Sequence, residues 1–404
     1  MASQASARRP HPSLRRLTTV ALALGTLGAL VAAAPPGAGD APGAGDAPRK
    51  AHHGFRERDL VSDIPGRAEK TDPNLVNPWG LARTPAGEIF VSDNGSDKAT
   101  TYSGARDNQP VKIHPRVVSI PEGGAPTGVV RNDTDAFRFT DSKSGKSGVA
   151  RFLFAGEDGD IFAFNPRVNP TNAVRVAHED SDGETAVFKG LTIVPGQKEH
   201  GKDKGHGEDC KKGDKRHKPR LLVANFRDAR IDSFDTKFNL LPPDDRFQDP
   251  NIESGFAPFD VKLIGDKVFV TYAKQDAAKH DDVAGPGNGF IDVFSTKGRL
   301  LKRFASRGVL NSPWGLETAP EKFGKFSGDL LVGNFGDGKI NAFDLRTGRF
   351  EGTLRHRNGN PIVIPGLWGL QRGTDKSGGR HSVWFAAGIN AENNGLLGTL
   401  RAEK

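Results

Sequence analysis

The pattern of hydrophobic and polar positions repeats six times between residues 78 and 400. Each copy opens with a turn, often containing Pro, followed by an aromatic or polar residue, Gly and an apolar residue. The six openings are Pro78-Trp79-Gly80-Leu81, Pro126-Thr127-Gly128-Val129, Phe188-Lys189-Gly190-Leu191, Pro258-Phe259-Asp260-Val261, Pro313-Trp314-Gly315-Leu316 and Leu367-Trp368-Gly369-Leu370. In the fourth copy Asp260 replaces the Gly. A repeat at intervals of about 40 to 70 residues predicts an array of similar structural units.

Each opening is followed by short apolar stretches that predict further β-strands. Second strands are predicted at residues 89–94, 152–158, 221–225, 268–272, 330–334 and 383–390. Third strands, most of which end in an aromatic residue, are predicted at 100–102, 161–164, 231–234, 291–294, 340–343 and 396–400. Outer strands are predicted at 111–120, 173–178, 300–304 and 350–355, with that of the third unit near Phe247. Three or four strands per repeat are typical of the blades of a β-propeller.

The two ends of the repeat array predict how the ring closes. The sixth copy runs out of chain after three strands, and residues 59–64 precede the first copy without a partner. If residues 59–64 form the fourth strand of the last blade, the ring closes and no sheet edge is left open. We therefore predict an all-β fold, a six-bladed β-propeller over residues 59–404. A pair of β-sandwiches is the alternative, but it does not explain why the same opening pattern occurs six times.

The first 58 residues differ from the rest of the chain. Four arginines between positions 8 and 16 precede an apolar run at 17–31 and three alanines. This order predicts a secretory signal peptide over residues 1–33, since the apolar run is too short for a comfortable transmembrane helix. Leu14 stands where a twin-arginine signal usually has a polar residue, which favours the Sec route over Tat. Residues 34–58, rich in Ala, Pro and Gly, predict a disordered linker. We expect a secreted, extracellular protein with no membrane insertion.

The net charge of +8 is unevenly distributed. Residues 1–50 carry six basic and two acidic side chains, and residues 197–219 carry eight and five. The remainder is nearly neutral, which argues against a nucleic-acid partner, because such binders need a basic face on the folded body. Residues 197–219 predict a charged, disordered insertion; the spacing of its His residues and Cys210 fits no standard zinc pattern. A single Cys excludes a disulfide scaffold.

Propeller topology places two sets of loops on one face of the ring, around the central channel. These are the loops leading into the inner strands and the loops following the second strands. The polar residues they carry, which we predict to bind a ligand, are Asn77, Asp93, Asn94, Glu157, Asn225, Tyr272, Lys274, Asn334 and Asn390. Their oxygen atoms suit a small polar ligand, an extracellular polymer or Ca²⁺. Asn and Asp also cap tight turns, which is the competing structural interpretation.

The connection between strands two and three of the fourth repeat is unusually long, at residues 273–289. Loops of this length in compact domains are commonly functional or disordered. The loop carries His280, Asp281 and Asp282, and a His beside carboxylates suits acid–base chemistry or metal ligation. These three are the candidate catalytic residues; a solvated loop with internal charge pairs is the alternative. No His-Glu-x-x-His or Gly-x-Ser-x-Gly motif is present.

Five blocks of the sequence stand out: TDPNLVNPWGL at 71–81, VSDNG at 91–95, VTYAKQD at 270–276, HDDVAGPGNGFIDVF at 280–294 and LLVGNFGDG at 330–338. These blocks resemble those of a family of uncharacterised bacterial exported proteins. The repeat is more distantly similar to NHL-type and gluconolactonase-type propellers. The resemblance implies export and a propeller, and it adds weight to the loop around His280, but it implies no particular reaction.

Three functions remain open from the sequence. The first is a secreted, monomeric propeller that binds a polar ligand on the Asn- and Asp-lined face, with Ca²⁺ as one candidate cofactor. The second is a metal-assisted hydrolase or lyase that uses the same face, with His280 as general acid or base. The third is a structural interaction scaffold.

Overall fold

The computed structural model describes residues 54–121, 123–181, 183–196 and 218–403. The predicted signal peptide and most of the predicted linker lie outside these residues, as do residues 197–217 of the predicted insertion. The described residues form six mainly antiparallel sheets arranged as the blades of a β-propeller, as predicted. None of their helices is long and apolar enough to cross a membrane.

In blades two to five the strands follow one another outward from the ring axis in chain order. In blade one the last two strands both pair with the third, and in blade six the two outermost strands come from the N-terminal part of the chain. Blade one contains Pro78–Arg83, Ile89–Asp93, Lys98–Gly104, Val111–Ile113 and Val118–Ser119. Blade two contains Pro126–Arg131, Phe152–Gly156, Asp160–Phe164 and Val174–His178. Blade three contains Phe188–Val194, Arg220–Asn225 and Arg230–Phe234. Blade four contains Phe256–Ile264, Lys267–Lys274, Phe290–Ser295 and Leu300–Ser306. Blade five contains Pro313–Thr318, Leu330–Asn334, Ile340–Phe343 and Phe350–Thr353. Blade six contains Leu367–Arg372, Ser382–Ile389, Asn394–Ala402, Phe55–Ser62 and Lys70–Thr71.

A few short elements lie outside this pattern. Two small hairpins pair Arg138–Thr140 with Ser147–Val149, and Asp180–Ser181 with Glu184–Thr185. Single-turn 3₁₀ helices form at Asn94–Ser96 and Gly324–Phe326.

The ring closes through the N-terminal strand, as predicted. Phe55–Ser62 pairs antiparallel with Asn394–Ala402, from Phe55 opposite Ala402 to Ser62 opposite Leu396. The strand begins four residues before the predicted start and ends two residues before the predicted end. The strand is longer because Phe55, which lies outside the predicted strand, is buried against Phe323 and Phe326 of blade five.

Blade three differs from the prediction at its outer edge. No fourth strand forms near Phe247; within residues 230–256 a single β-bridge joins Phe234 to Leu240. The chain continues through Pro242 and Pro243, which lack the N–H donor that a strand ladder requires. Phe247 is buried instead against Phe294 of blade four, with ring centroids 5.8 Å apart.

The repeated Gly explains how the inner strands approach one another. A Cβ atom at Gly190 would overlap the side chain of Asp260, and one at Gly315 would lie 2.5 Å from the carbonyl oxygen of Trp368. Every pair of neighbouring blades shares one hydrophobic cluster, so the core is a ring of six inter-blade layers. This rigid frame fixes the loops at both ends of the central channel.

Candidate functional site

Aromatic side chains close the central channel at one face of the ring, which we call the upper face. This face carries the loops that lead into the inner strands and those that follow the second strands. Trp79 and Trp368 stack with ring centroids 3.4 Å apart, and Trp314 packs edge-on against both. All three are buried. Phe335 stacks on Trp368 at 3.9 Å.

A group of charged and amide side chains lies beside these aromatic rings. We call it the upper-face cluster; its members are Asn77, Asn94, Glu157, Lys189, His280, Asp281 and Glu392. Blades one, two, three, four and six contribute to it. The sequence predicted five of the seven as site residues.

Lys189 is at the centre of this cluster. It is 1% exposed, and its Nζ donates a hydrogen bond to Glu157 Oε1 at 2.6 Å. The same Nζ lies 3.8 Å from Asp281 Oδ1 and 5.1 Å from the ring centroid of Trp79. Burial lowers the pKa of Lys189, but the nearby carboxylates, Glu157 first, raise it by more. The ammonium is therefore a permanent positive charge below the surface.

A chain of amide groups links Glu157 to Glu392 across blade one. Asn94 Nδ2 donates to Glu157 Oε2 at 3.1 Å, and Asn94 Oδ1 accepts from Asn77 Nδ2 at 3.1 Å. Asn77 Nδ2 also donates to Glu392 Oε2 at 2.9 Å, while Asn77 Oδ1 accepts from the indole of Trp368 at 3.3 Å. Asn77 has φ of 45°, a left-handed conformation that Asn tolerates well. The fold thus holds the amide where it bridges the acidic groups.

Glu392 reaches the cluster from a strained turn. Asn390, Ala391 and Glu392 have φ values of 55°, 51° and 65°, three successive left-handed residues without a Gly. Such conformations cost free energy and persist only where the surroundings fix them. Burial, and then the charge of Glu157, raise the pKa of Glu392 to about 7.

The blade-four loop brings His280 and Asp281 to the same place. His280 Nδ1 and Asp281 Oδ1 are 2.9 Å apart, and ligand atoms of Glu157, His280 and Asp281 all lie within 4.8 Å of one another. The bond to Asp281 raises the pKa of His280 and lowers that of Asp281. Backbone bonds tie the loop down: His280 N donates to Asp276 Oδ1 at 2.9 Å, and Val283 N to Lys274 O at 2.8 Å.

Asp282, the third candidate catalytic residue, is set apart from this hydrogen-bonded group. Burial raises the pKa of its carboxyl. Its Oδ2 atom is buried and has no hydrogen-bond partner among the described residues. The Ser312 hydroxyl, which is also buried without another partner, lies near this carboxyl and partly offsets the rise in its pKa, so Ser312 is the donor available to Asp282 within the protein.

The remaining predicted ligand residues do not join the cluster. Asp93 accepts from Thr100 Oγ1 at 2.8 Å inside blade one, and burial raises its pKa. Asn225 donates to Asp228 and Asp232, and Asn334 to Val309 O and Asp337. Asn390 bonds Asn394 within its own turn, Tyr272 is buried between blades three and four, and the Lys274 side chain is exposed. Asn225, Asn334 and Asn390 therefore bond within their own turns or at strand ends, which is the competing structural interpretation given above.

Two members of the cluster were missed at the sequence level, Lys189 and Glu392. A signal for Lys189 was present, because it is the one charged residue at a repeat position otherwise occupied by Trp, Thr or Phe. Glu392 gave no comparable signal, since its placement depends on the left-handed turn.

Asp260, which replaces the repeated Gly, lies in the channel wall below the aromatic rings. The cavity there has a volume of about 280 Å³ and is lined by inner strands of all six blades. Asp260 Oδ1 accepts from the Val261 N–H at 2.8 Å, and burial raises the pKa of Asp260 to about 7. Lys262 Nζ donates to the carbonyl oxygen of Leu316 in the neighbouring blade five, at 2.6 Å.

The donor set of the cluster fits Ca²⁺ poorly. Ca²⁺ takes six to eight oxygen ligands, whereas Glu157, His280 and Asp281 offer two carboxylates and an imidazole. An imidazole with carboxylates suits a transition metal better. Any cation placed there would also meet the ammonium of Lys189, which already neutralises Glu157.

No protein-family model matches the chain. It is 32% identical over 357 residues to uncharacterized protein R648 of Acanthamoeba polyphaga mimivirus, covering 87% of this chain and 81% of the relative. Protein L690 of the same virus is also 32% identical over 357 residues, with 87% of each chain covered. Among solved structures, an α-L-arabinanase of Penicillium chrysogenum complexed with arabinobiose superposes with a TM-score of 0.51 at 12% identity, covering 86% of this chain and 98% of that one.

The structural likeness, at so low an identity, concerns the fold alone. The relatives by sequence are viral, so they give no support to the expected bacterial character of the family. The chain belongs to the family of uncharacterised proteins that includes R648 and L690 of Acanthamoeba polyphaga mimivirus.

Proposed function

We propose that this chain is an exported β-propeller that binds a polar ligand over the upper-face cluster. The observation that carries the proposal is the buried Lys189–Glu157 pair, continued through Asn94 and Asn77 to Glu392. Burying ionised groups costs free energy, and a hydrophobic filler of similar volume is often at least as stable. Three other blades use Trp at the position of Lys189. The packing of the ring therefore does not account for a charged group at this position.

The charges of the cluster indicate the chemistry of the ligand. Glu157, Asp281 and Glu392 outnumber Lys189 and His280, and burial raises the pKa of the Glu392 carboxyl. Hydrogen-bond donors on a ligand would satisfy these acceptors and offset the repulsion among them. We therefore expect a ligand rich in hydroxyl or amino groups, either a small molecule or a segment of an extracellular polymer.

The test is a thermal-shift and calorimetric screen of residues 34–404 with neutral sugars, amino sugars, polyamines, Ca²⁺ and Zn²⁺. A hit should be lost in Glu157→Gln and kept in Glu253→Gln, which removes an exposed carboxylate paired with Arg307. A hit that survives Glu157→Gln unchanged contradicts the placement of the site.

A second function, hydrolysis or elimination with His280 as general acid or base, is favoured by one observation. His280 is hydrogen-bonded to Asp281 and lies beside Glu157, an arrangement that orients an imidazole for proton transfer. Metal analysis of the purified protein tests the metal-assisted form: stoichiometric Zn²⁺ with turnover lost on chelation supports it. Turnover of a bound ligand that persists in His280→Ala rules out this role.

Export is part of the proposal and rests on residues 1–33. The order of basic, apolar and small residues is that of a secretory signal. Position 14 is Leu, where a twin-arginine signal usually has a polar residue, and this favours the Sec route. Expression of the full chain should release a product beginning at Ala34, as read by N-terminal sequencing.

We further propose that the mature protein is a monomer, which gel filtration with light scattering tests. A purely structural scaffold would show no ligand in the screen.

A further inference from the structure

A second concave site lies at the seam between blades one and two. It opens between the turn at residues 84–88, which joins the first two strands of blade one, and the turn at 165–167, which follows the third strand of blade two. Both turns are at the strand ends opposite the upper face. The groove has a volume of about 660 Å³, within the usual range for small-molecule sites.

The floor of the groove is aromatic and rigid. Phe90, Phe152 and Phe164 line it, and each is at least 94% buried in the layer between the two blades. The ring centroids of Phe90 and Phe152 are 4.4 Å apart, and those of Phe90 and Phe164 are 6.1 Å apart. Because these rings belong to the inter-blade core, the floor exists before any ligand binds.

The rim of the groove is basic. Arg116, Arg151 and Arg167 line it and are exposed. In the part of the chain that the structure describes, their guanidinium groups have no hydrogen-bond or ion-pair partner. The acidic lining residue, Glu88, already accepts a hydrogen bond from Thr84 Oγ1 at 2.9 Å. Three free guanidinium groups therefore surround an apolar floor.

We propose that this groove binds an organic anion with a flat apolar body, such as an aromatic carboxylate, sulfate or phosphate ester. A guanidinium fork pairs with these anions through two parallel hydrogen bonds, which a neutral polar group cannot replace. The exposed or half-buried rings of Pro85, Pro115 and Pro166 line the groove and, with the edges of the Phe rings below them, remove the apolar body from water. This site is separate from the upper-face cluster and does not depend on the function proposed for it.

Isothermal titration calorimetry with 2-naphthoate tests the proposal, with neutral 2-naphthalenemethanol as the matched ligand. We expect 2-naphthoate to bind and the alcohol to bind at least about tenfold more weakly, because it lacks the charge. The triple variant Arg116→Gln, Arg151→Gln, Arg167→Gln should also lose at least about tenfold in affinity for 2-naphthoate. Binding should weaken as NaCl is raised.

A second triple variant, Arg56→Gln, Arg299→Gln, Arg357→Gln, is the control for overall charge. These arginines are exposed and lie outside the groove, so binding of 2-naphthoate should be unchanged. Thermal melting of both triple variants verifies that they fold; single substitutions serve if one does not. Equal loss in both triples, equal binding of acid and alcohol, or no binding of 2-naphthoate overturns the proposal. Glu157→Gln, which tests the upper-face cluster, should leave 2-naphthoate binding intact.

Discussion

The aromatic and the charged sides of the upper face fill equivalent positions of the same repeat in opposite ways. Blades one, five and six place Trp79, Trp314 and Trp368 there, and these rings pack on one another. Blade three places Lys189 there, bound to Glu157. The packed Trp rings stabilise the centre of the closed ring. The Lys side is a departure from the repeat that packing does not require, and such departures indicate function more directly than the repeated residues do.

The largest effect is expected on the aromatic side. Trp314→Ala should lower the free energy of unfolding by about 3–5 kcal/mol, because it leaves a cavity among Trp79, Trp368 and the channel wall. Trp314→Phe should lose less. Since no titratable group is removed, the loss measured by urea unfolding should be nearly the same at pH 5 and pH 8. A loss that changes strongly with pH would mean that the two sides of the face are electrostatically coupled.

Lys189→Met tests the charged side and should cost about 3 kcal/mol at pH 8, since it leaves the partly buried carboxylate of Glu157 without its cation. The side-chain volume is nearly kept, so the loss should be electrostatic and smaller at pH 5, where the acids are more easily protonated. The double variant Lys189→Met, Glu157→Gln should recover much of the stability in the same urea titrations. No recovery in the double variant would identify Lys189 as a packing residue.

This contrast also explains what could be predicted from the sequence. The six openings predicted the blades, because five of them carry a Gly where neighbouring inner strands leave no room for a Cβ atom, as at Gly315 beside Trp368. The unpaired ends of the repeat array predicted the closing strand. Glu392 could not be found, because three consecutive left-handed residues position it and no local propensity favours them. The loss of the outer strand in blade three was readable in hindsight from Pro242 and Pro243.

Glu392→Gln should raise the free energy of unfolding moderately, whereas the Trp314 and Lys189 substitutions should lower it. With its pKa raised to about 7 from 4.5, Glu392 binds a proton more tightly in the folded chain than in the unfolded one. Its contribution to stability is complete below pH 4.5 and is lost as the pH rises to about 7. The Gln side chain keeps the acceptor for Asn77, so the variant should be more stable than the parent at pH 8, by about 1–2 kcal/mol, with little difference at pH 4.5. Unfolding free energies across this range that show parallel curves for the two proteins would contradict the raised pKa.

His280→Ala should have the smallest effect on stability and the largest on ligand binding. The imidazole is 39% exposed, and its bond to Asp281 is at the protein surface, so its removal should cost at most about 0.5 kcal/mol. The raised pKa of His280 means that this small contribution is present at low pH and is lost as the pH rises through the folded value. Binding of any ligand found for the upper-face cluster should be abolished, whereas melting near neutral pH should be almost unchanged. The opposite result, lower stability with binding intact, would make His280 a structural residue of its loop. Glu392, with a pKa of about 7, would then be the member of the cluster best suited to proton transfer.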